Sequence, residues 1–122
     1  MPKTILLVSR DAALQATRAA VLERVGYRTM RTSSMASAVP LASQCQMSII
    51  GHTFSPAEQD EFIDHVHEAN PGVFILCLRF GLHRPTELLR HVANCFAAQP
   101  GGSRICDVPE KLRRAVESKP KT

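Results

Sequence analysis

Three predominantly apolar runs limit what this chain can fold into: Ile5-Leu6-Leu7-Val8, Met47-Ser48-Ile49-Ile50 and Val73-Phe74-Ile75-Leu76-Cys77-Leu78. A strand with one face in water alternates apolar and polar residues. These runs do not alternate, so they read as strands buried on both faces, which requires a parallel sheet covered by helices. The segments between them carry the matching helix signals. Asp11 is placed to cap a helix over 12–25, with Leu14, Val21 and Val25 on one face and Gly26 as the stop. Ser55-Pro56-Ala57-Glu58 combines a capping box with proline at the first helical position, and Phe62, Ile63 and Val66 form the apolar face of the helix it opens.

The remaining elements follow from weaker signals. Tyr27-Arg28-Thr29-Met30-Arg31-Thr32 alternates and is rich in β-formers, as suits a strand at the sheet edge. Ser33 and Ser34 offer caps for a helix through Met35, Val39 and Leu41. Pro40 falls inside it and removes a backbone donor at a cost of about 3 kcal/mol, so a kinked or short helix is expected. Asn70-Pro71-Gly72 is a turn. Pro85 starts a helix with Leu88, Leu89, Val92 and Phe96, which ends at Pro100-Gly101-Gly102. A short strand at Ser103-Arg104-Ile105-Cys106 and a helix capped by Asp107, carrying Leu112 and Val116, complete the pattern.

Strand and helix thus alternate five times across 122 residues, enough for one core. The expected organisation is one α/β domain over 1–118, a (βα)5 three-layer sandwich around a five-stranded parallel sheet, with a basic disordered tail at 119–122. A hydrophobic fraction of 44% with 21% charged residues excludes a mostly disordered chain. No apolar run reaches membrane-span length, and Thr4 to Val8 is too short for the core of a signal peptide, so a cytoplasmic location is expected. Cys45, Cys77, Cys95 and Cys106 lie far apart without zinc-site spacing and read as buried free thiols. The net charge of +4 has its excess at the C-terminal end, in Lys111, Arg113, Arg114, Lys119 and Lys121. No aromatic residues interleave with these charges to stack on bases, which favours a solvated helix end over a nucleic-acid surface.

The order and lengths of these elements, with Ser9-Arg10-Asp11 after the first strand, Gly26-Tyr27 and Thr32-Ser33-Ser34, resemble the receiver domain of response regulators over almost the whole chain. The resemblance implies a flavodoxin-like fold, strand order 2-1-3-4-5, with a site outside the carboxyl ends of the first and third strands. In that family an acidic pair after the first strand and an aspartate ending the third hold Mg²⁺, and that aspartate accepts a phosphoryl group. The matching positions here are Ser9, Arg10 and Gly51. The switch Ser/Thr matches Arg79, and the lysine of the fifth strand has no counterpart, since Val108 precedes Pro109. Asp11 is one residue late and is better used as a helix cap.

The expected function is therefore a non-phosphorylatable pseudo-receiver. It would act as a signal-transduction or protein-interaction module, with no catalytic residues, metal or cofactor. Its expected partner is another protein or a second copy, held by the fourth helix, fifth strand and fifth helix, with Leu82, Leu89, Phe96, Arg104 and Leu112 as interface candidates. Arg10 and Arg79 suggest that the altered cleft has turned from cation to anion binding. His52 reads as structural or exposed, and His65 and His67, two apart on a helix, cannot chelate one ion together. The alternatives are a small-anion or ligand-binding flavodoxin-like domain, a DNA-associated regulator using the basic C-terminus, or a piece of a longer protein with an output domain beyond Thr122. No glycine-rich phosphate loop, serine elbow or clustered acid/base pair proposes a reaction.

Overall fold

The structure is a computed structural model that describes residues 3–78, 84–97 and 105–108. Along them the chain forms β1 (Thr4–Val8), α1 (Ala12–Arg24), β2 (Arg28–Thr32), α2 (Met35–Ala42), β3 (Met47–Ile50), α3 (Pro56–Ala69), β4 (Phe74–Leu78), α4 (Pro85–Phe96) and β5 (Ile105–Val108). This is the expected α/β alternation around a parallel sheet. The strands lie in the order β2-β1-β3-β4-β5, each parallel to its neighbours. Of the strand expected over 103–106, Ile105 and Cys106 belong to β5, whose ladder pairs Ile75 with Ile105 and Leu78 with Val108; 103 and 104 lie outside the described residues. The expected fifth helix and the basic tail lie outside the described residues.

The apolar runs do what their lack of alternation requires. β1 sends Leu6 and Val8 to a core beneath α2 and α3, with Ala38, Ala42, Phe62, Ile63 and Val66. Its other two large residues, Ile5 and Leu7, join Ala19, Leu22, Leu88, Val92 and Cys95 beneath α1 and α4. Burying each such side chain contributes about 1.5–3 kcal/mol, and sheet residues serve two cores at once. Cys45, Cys77 and Cys95 are buried, as expected; the side chain of Cys106 lies outside the description.

Helix α1 is capped as expected: Asp11 Oδ1 accepts from the Leu14 N–H at 3.0 Å. It ends at Gly26 with φ +102°, where the Tyr27 N–H reaches Leu22 O at 3.2 Å. Its buried face differs from the expected one. Gln15, Arg18, Ala19 and Leu22 point inward, whereas Val25 is exposed and Leu14 and Val21 lie at the flanks. Gln15 is drawn in because it meets the ends of two strands, where backbone carbonyls need donors; Arg18, one turn on, makes no such bond through its buried Nη2. Helix α2 is short, eight residues, and continues through Pro40. The position is tolerable because Pro40 and Ala36, whose carbonyl loses its donor, are both exposed, so water can replace the missing bond.

The placement of α4 departs from the usual rule. The steps from β3 to β4 and from β4 to β5 run the same way across the sheet, so right-handed crossovers would put α3 and α4 on one face. Instead α4 packs beside α1, with Leu88, Val92 and Cys95 against Leu76 and Leu78. Helices α3 and α4 therefore lie on opposite faces of the sheet. At its end the Phe96 ring stacks 5.9 Å from Tyr27 and meets Phe74 edge-on at 5.3 Å, with Lys3 Nζ 4.1 Å from its centre.

Candidate functional site

Two loops meet at the carboxyl ends of β1 and β3. Ser9, Arg10 and Asp11 follow β1, and residues 51–55 lead from β3 into α3. The buried Ser9 hydroxyl lies 3.3 Å from the Thr53 hydroxyl and accepts from the Asp11 N–H at 3.1 Å. The Arg10 N–H donates to Thr53 Oγ1 at 3.0 Å. The Arg10 guanidinium lies over the Phe54 ring at 4.4 Å and donates to Glu58 Oε2 at 2.9 Å and Thr53 O at 3.3 Å. Glu58 in turn completes the capping box with Ser55. The loops are thus clamped by a chain of contacts from α3 to the start of α1.

Arg10 holds the Glu58 carboxyl below its usual pKa, with the Ser55 N–H adding to the effect. A depressed carboxylate stabilises the fold above its unfolded pKa, and that contribution disappears as pH falls through the lower folded value. The urea midpoint of Glu58→Gln should therefore lie below that of the wild type at pH 7, and the gap should close by pH 3. A gap of the same size at both pH values would show that the carboxylate charge is not what matters.

Two buried glutamines fasten the helices to this edge of the sheet. Gln15 Nε2 is placed within 3.0 Å of Leu7 O, 3.2 Å of Ser9 O and 2.7 Å of Thr32 O. Gln59 Nε2 donates to Gly51 O at 2.9 Å and Leu78 O at 3.0 Å. Each ties one helix to the ends of two neighbouring strands.

The unexpected member of the site is Arg18, one turn beyond Gln15 on α1. It is 5% exposed, and its Nη2 is buried without a hydrogen-bond partner. Its Nη1 lies 3.1 Å from where a Cβ would stand on Gly51. Burial lowers the Arg18 pKa, and the charge of Asp11 partly opposes this. The guanidinium therefore takes up space that a side chain at position 51 would claim. The sequence reading missed Arg18 and both glutamines. The spacing 15-18-19-22, a helical stripe that includes two polar residues, was the available signal.

Of the residues singled out by sequence, Ser9, Arg10 and Gly51 come together here, and Arg79 lies outside the described residues. Asp11 serves as the α1 cap. His52, His65 and His67 are exposed. Of the interface candidates, Leu89 and Phe96 are half-buried against the core under α1 and α4, while Leu82, Arg104 and Leu112 lie outside the described residues. Among the described residues, no three His, Cys, Asp or Glu are grouped to hold a metal ion, and no helix is long and apolar enough to cross a membrane.

No family model matches the chain, and no curated protein matches it in sequence. Solved structures do match it in shape. A CheY-like response regulator receiver domain protein from Methanospirillum hungatei superposes with a TM-score of 0.60 at 16% identity, over 98% of this chain and 94% of that one. A response regulator receiver protein from Sinorhizobium medicae gives 0.56 at 22% identity, over 96% and 93%. A Burkholderia pseudomallei protein described as pilus assembly-related gives 0.55 at 21%, over 94% and 87%. The chain has the fold of a receiver domain.

Proposed function

We infer that this chain is a pseudo-receiver, a signal-transduction or protein-interaction module that does not take a phosphoryl group and is not an enzyme. The observation that carries the reading is the Arg18 guanidinium lying against Gly51. Receiver chemistry needs a carboxylate nucleophile there, beside a divalent cation held by hard oxygen ligands. The residues present do not fit Mg²⁺. Gly51 has no side chain, Ser9 and Thr53 use their hydroxyls on each other and on backbone N–H groups, and Arg18 brings a positive charge to the same place. The carboxylates nearby are also engaged, Asp11 as a helix cap and Glu58 with Arg10.

Mg²⁺ with beryllofluoride should leave the Ser9, Arg10 and Gly51 amide resonances unmoved. A saturable shift at these amides would overturn the reading. The partner belongs to the same proposal: another protein or a second copy of the chain, recognised through α4, β5 and the segment after it. Sedimentation at increasing concentration checks the second-copy form, and a strict monomer at high concentration removes it.

A further inference from the structure

A buried guanidinium with no counter-ion is costly, because the ion has left water and nothing nearby replaces what it lost. Arg18 is in that position. Its Nη2 is shielded from solvent and unpartnered, and at Gly51, which its Nη1 approaches, the carbonyl already accepts from Gln59 and the N–H donates to Val8 O. Asp11 is close enough to favour the charge, but its carboxylate is capping α1 and forms no ion pair with Arg18 among the described residues. Arg10 does not share the predicament, since Glu58 and Phe54 engage it. The sequence attached anion binding to Arg10 and Arg79; Arg79 lies outside the described residues, and Arg18 stands at none of the positions the receiver resemblance marked.

We propose that Arg18, under the bare backbone of Gly51, is the recognition group of a small-oxyanion site at the carboxyl ends of β1 and β3. The group it accepts presents two oxygens to one guanidinium edge, as a phosphate or a carboxylate does. The missing Cβ at Gly51 is part of the device, because any side chain there would meet Nη1. Since Nη2 is screened from solvent, binding displaces neighbouring side chains. Affinity is modest, and the clearest readout is stability rather than occupancy.

The test is thermal unfolding of the whole chain, without Mg²⁺, in inorganic phosphate, in acetate and in chloride of matched ionic strength. At about ten times its Kd, phosphate or acetate should raise the wild-type midpoint by roughly 5 °C over chloride. A rise with phosphate alone identifies a tetrahedral oxyanion, and a rise with acetate as well shows that a planar carboxylate is accepted. Arg18→Met should fold and show no such increment, and Arg18→Lys, which keeps the charge but not the fork, should show a reduced one. Gly51→Asp places a carboxylate against Nη1 and should also abolish the increment. No rise over chloride in the wild type, or an equal rise in Arg18→Met, overturns the proposal. Neither result bears on the pseudo-receiver reading, which is decided by the response to Mg²⁺ and beryllofluoride.

Discussion

Replacing Arg18 with methionine in chloride buffer free of phosphate and carboxylates raises the stability of this domain, by about 1–3 kcal/mol. Removing a large buried side chain normally lowers stability, so the sign is the informative part. Methionine has nearly the length of the arginine stem and a similar helix propensity, so Ala19 and Leu22 of α1 keep their packing against Ile5 and Leu7. What disappears is a charge that is 5% exposed and a buried Nη2 with no partner. The favourable influence of Asp11 is lost as well, but it is secondary to the burial it opposes. The urea midpoint should rise while the slope of the transition stays the same, since the surface exposed on unfolding hardly changes. A fall of 1 kcal/mol or more would show that the guanidinium has a stabilising partner, which would also remove the motive for an oxyanion at this position.

Gln59→Ala acts in the opposite direction and more strongly, lowering stability by about 2–4 kcal/mol. Gln59 is 1% exposed, and one amide nitrogen serves both Gly51 O and Leu78 O. Alanine leaves both carbonyls short of that donor and opens a cavity beside Phe62, Ile63 and Leu78. The loss is expected to loosen the ends of β3 and β4 first, so amide exchange should accelerate at 51–54 before it does in the sheet centre. Glu61→Ala is the control: it changes an exposed residue on the same helix and should stay within about 0.5 kcal/mol of the wild type. If the two variants behaved alike, Gln59 would not be the fastening described above.

These two expectations rest on residues that the sequence reading passed over, and the reason is physical. Apolar runs and caps are local signals. Ile5 to Val8 have to be buried whatever surrounds them, and Ser55, Pro56 and Glu58 define the start of α3 within four positions. A buried polar residue gives no such sign, because what makes it tolerable is a partner far along the chain: Gln59 reaches Leu78, and Gln15 reaches Thr32. The face of α1 was misjudged for that reason. Apolar residues alone pointed to Leu14, Val21 and Val25; the carbonyl-rich end of the sheet selected Gln15, and Arg18 shares its buried face.

The sequence by itself determined the α/β alternation, the parallel sheet and the chemistry that position 51 cannot perform, because glycine has no side chain to donate or accept anything. Tertiary structure decided what stands in its place. The reach of Arg18 across to Gly51, the pairing of Arg10 with Glu58 and the docking of α4 beside α1 all depend on which elements face one another. Those contacts join residues 33, 48 and about 70 positions apart, separations that no local pattern encodes, so only the packed sheet could turn a missing carboxylate into a buried arginine.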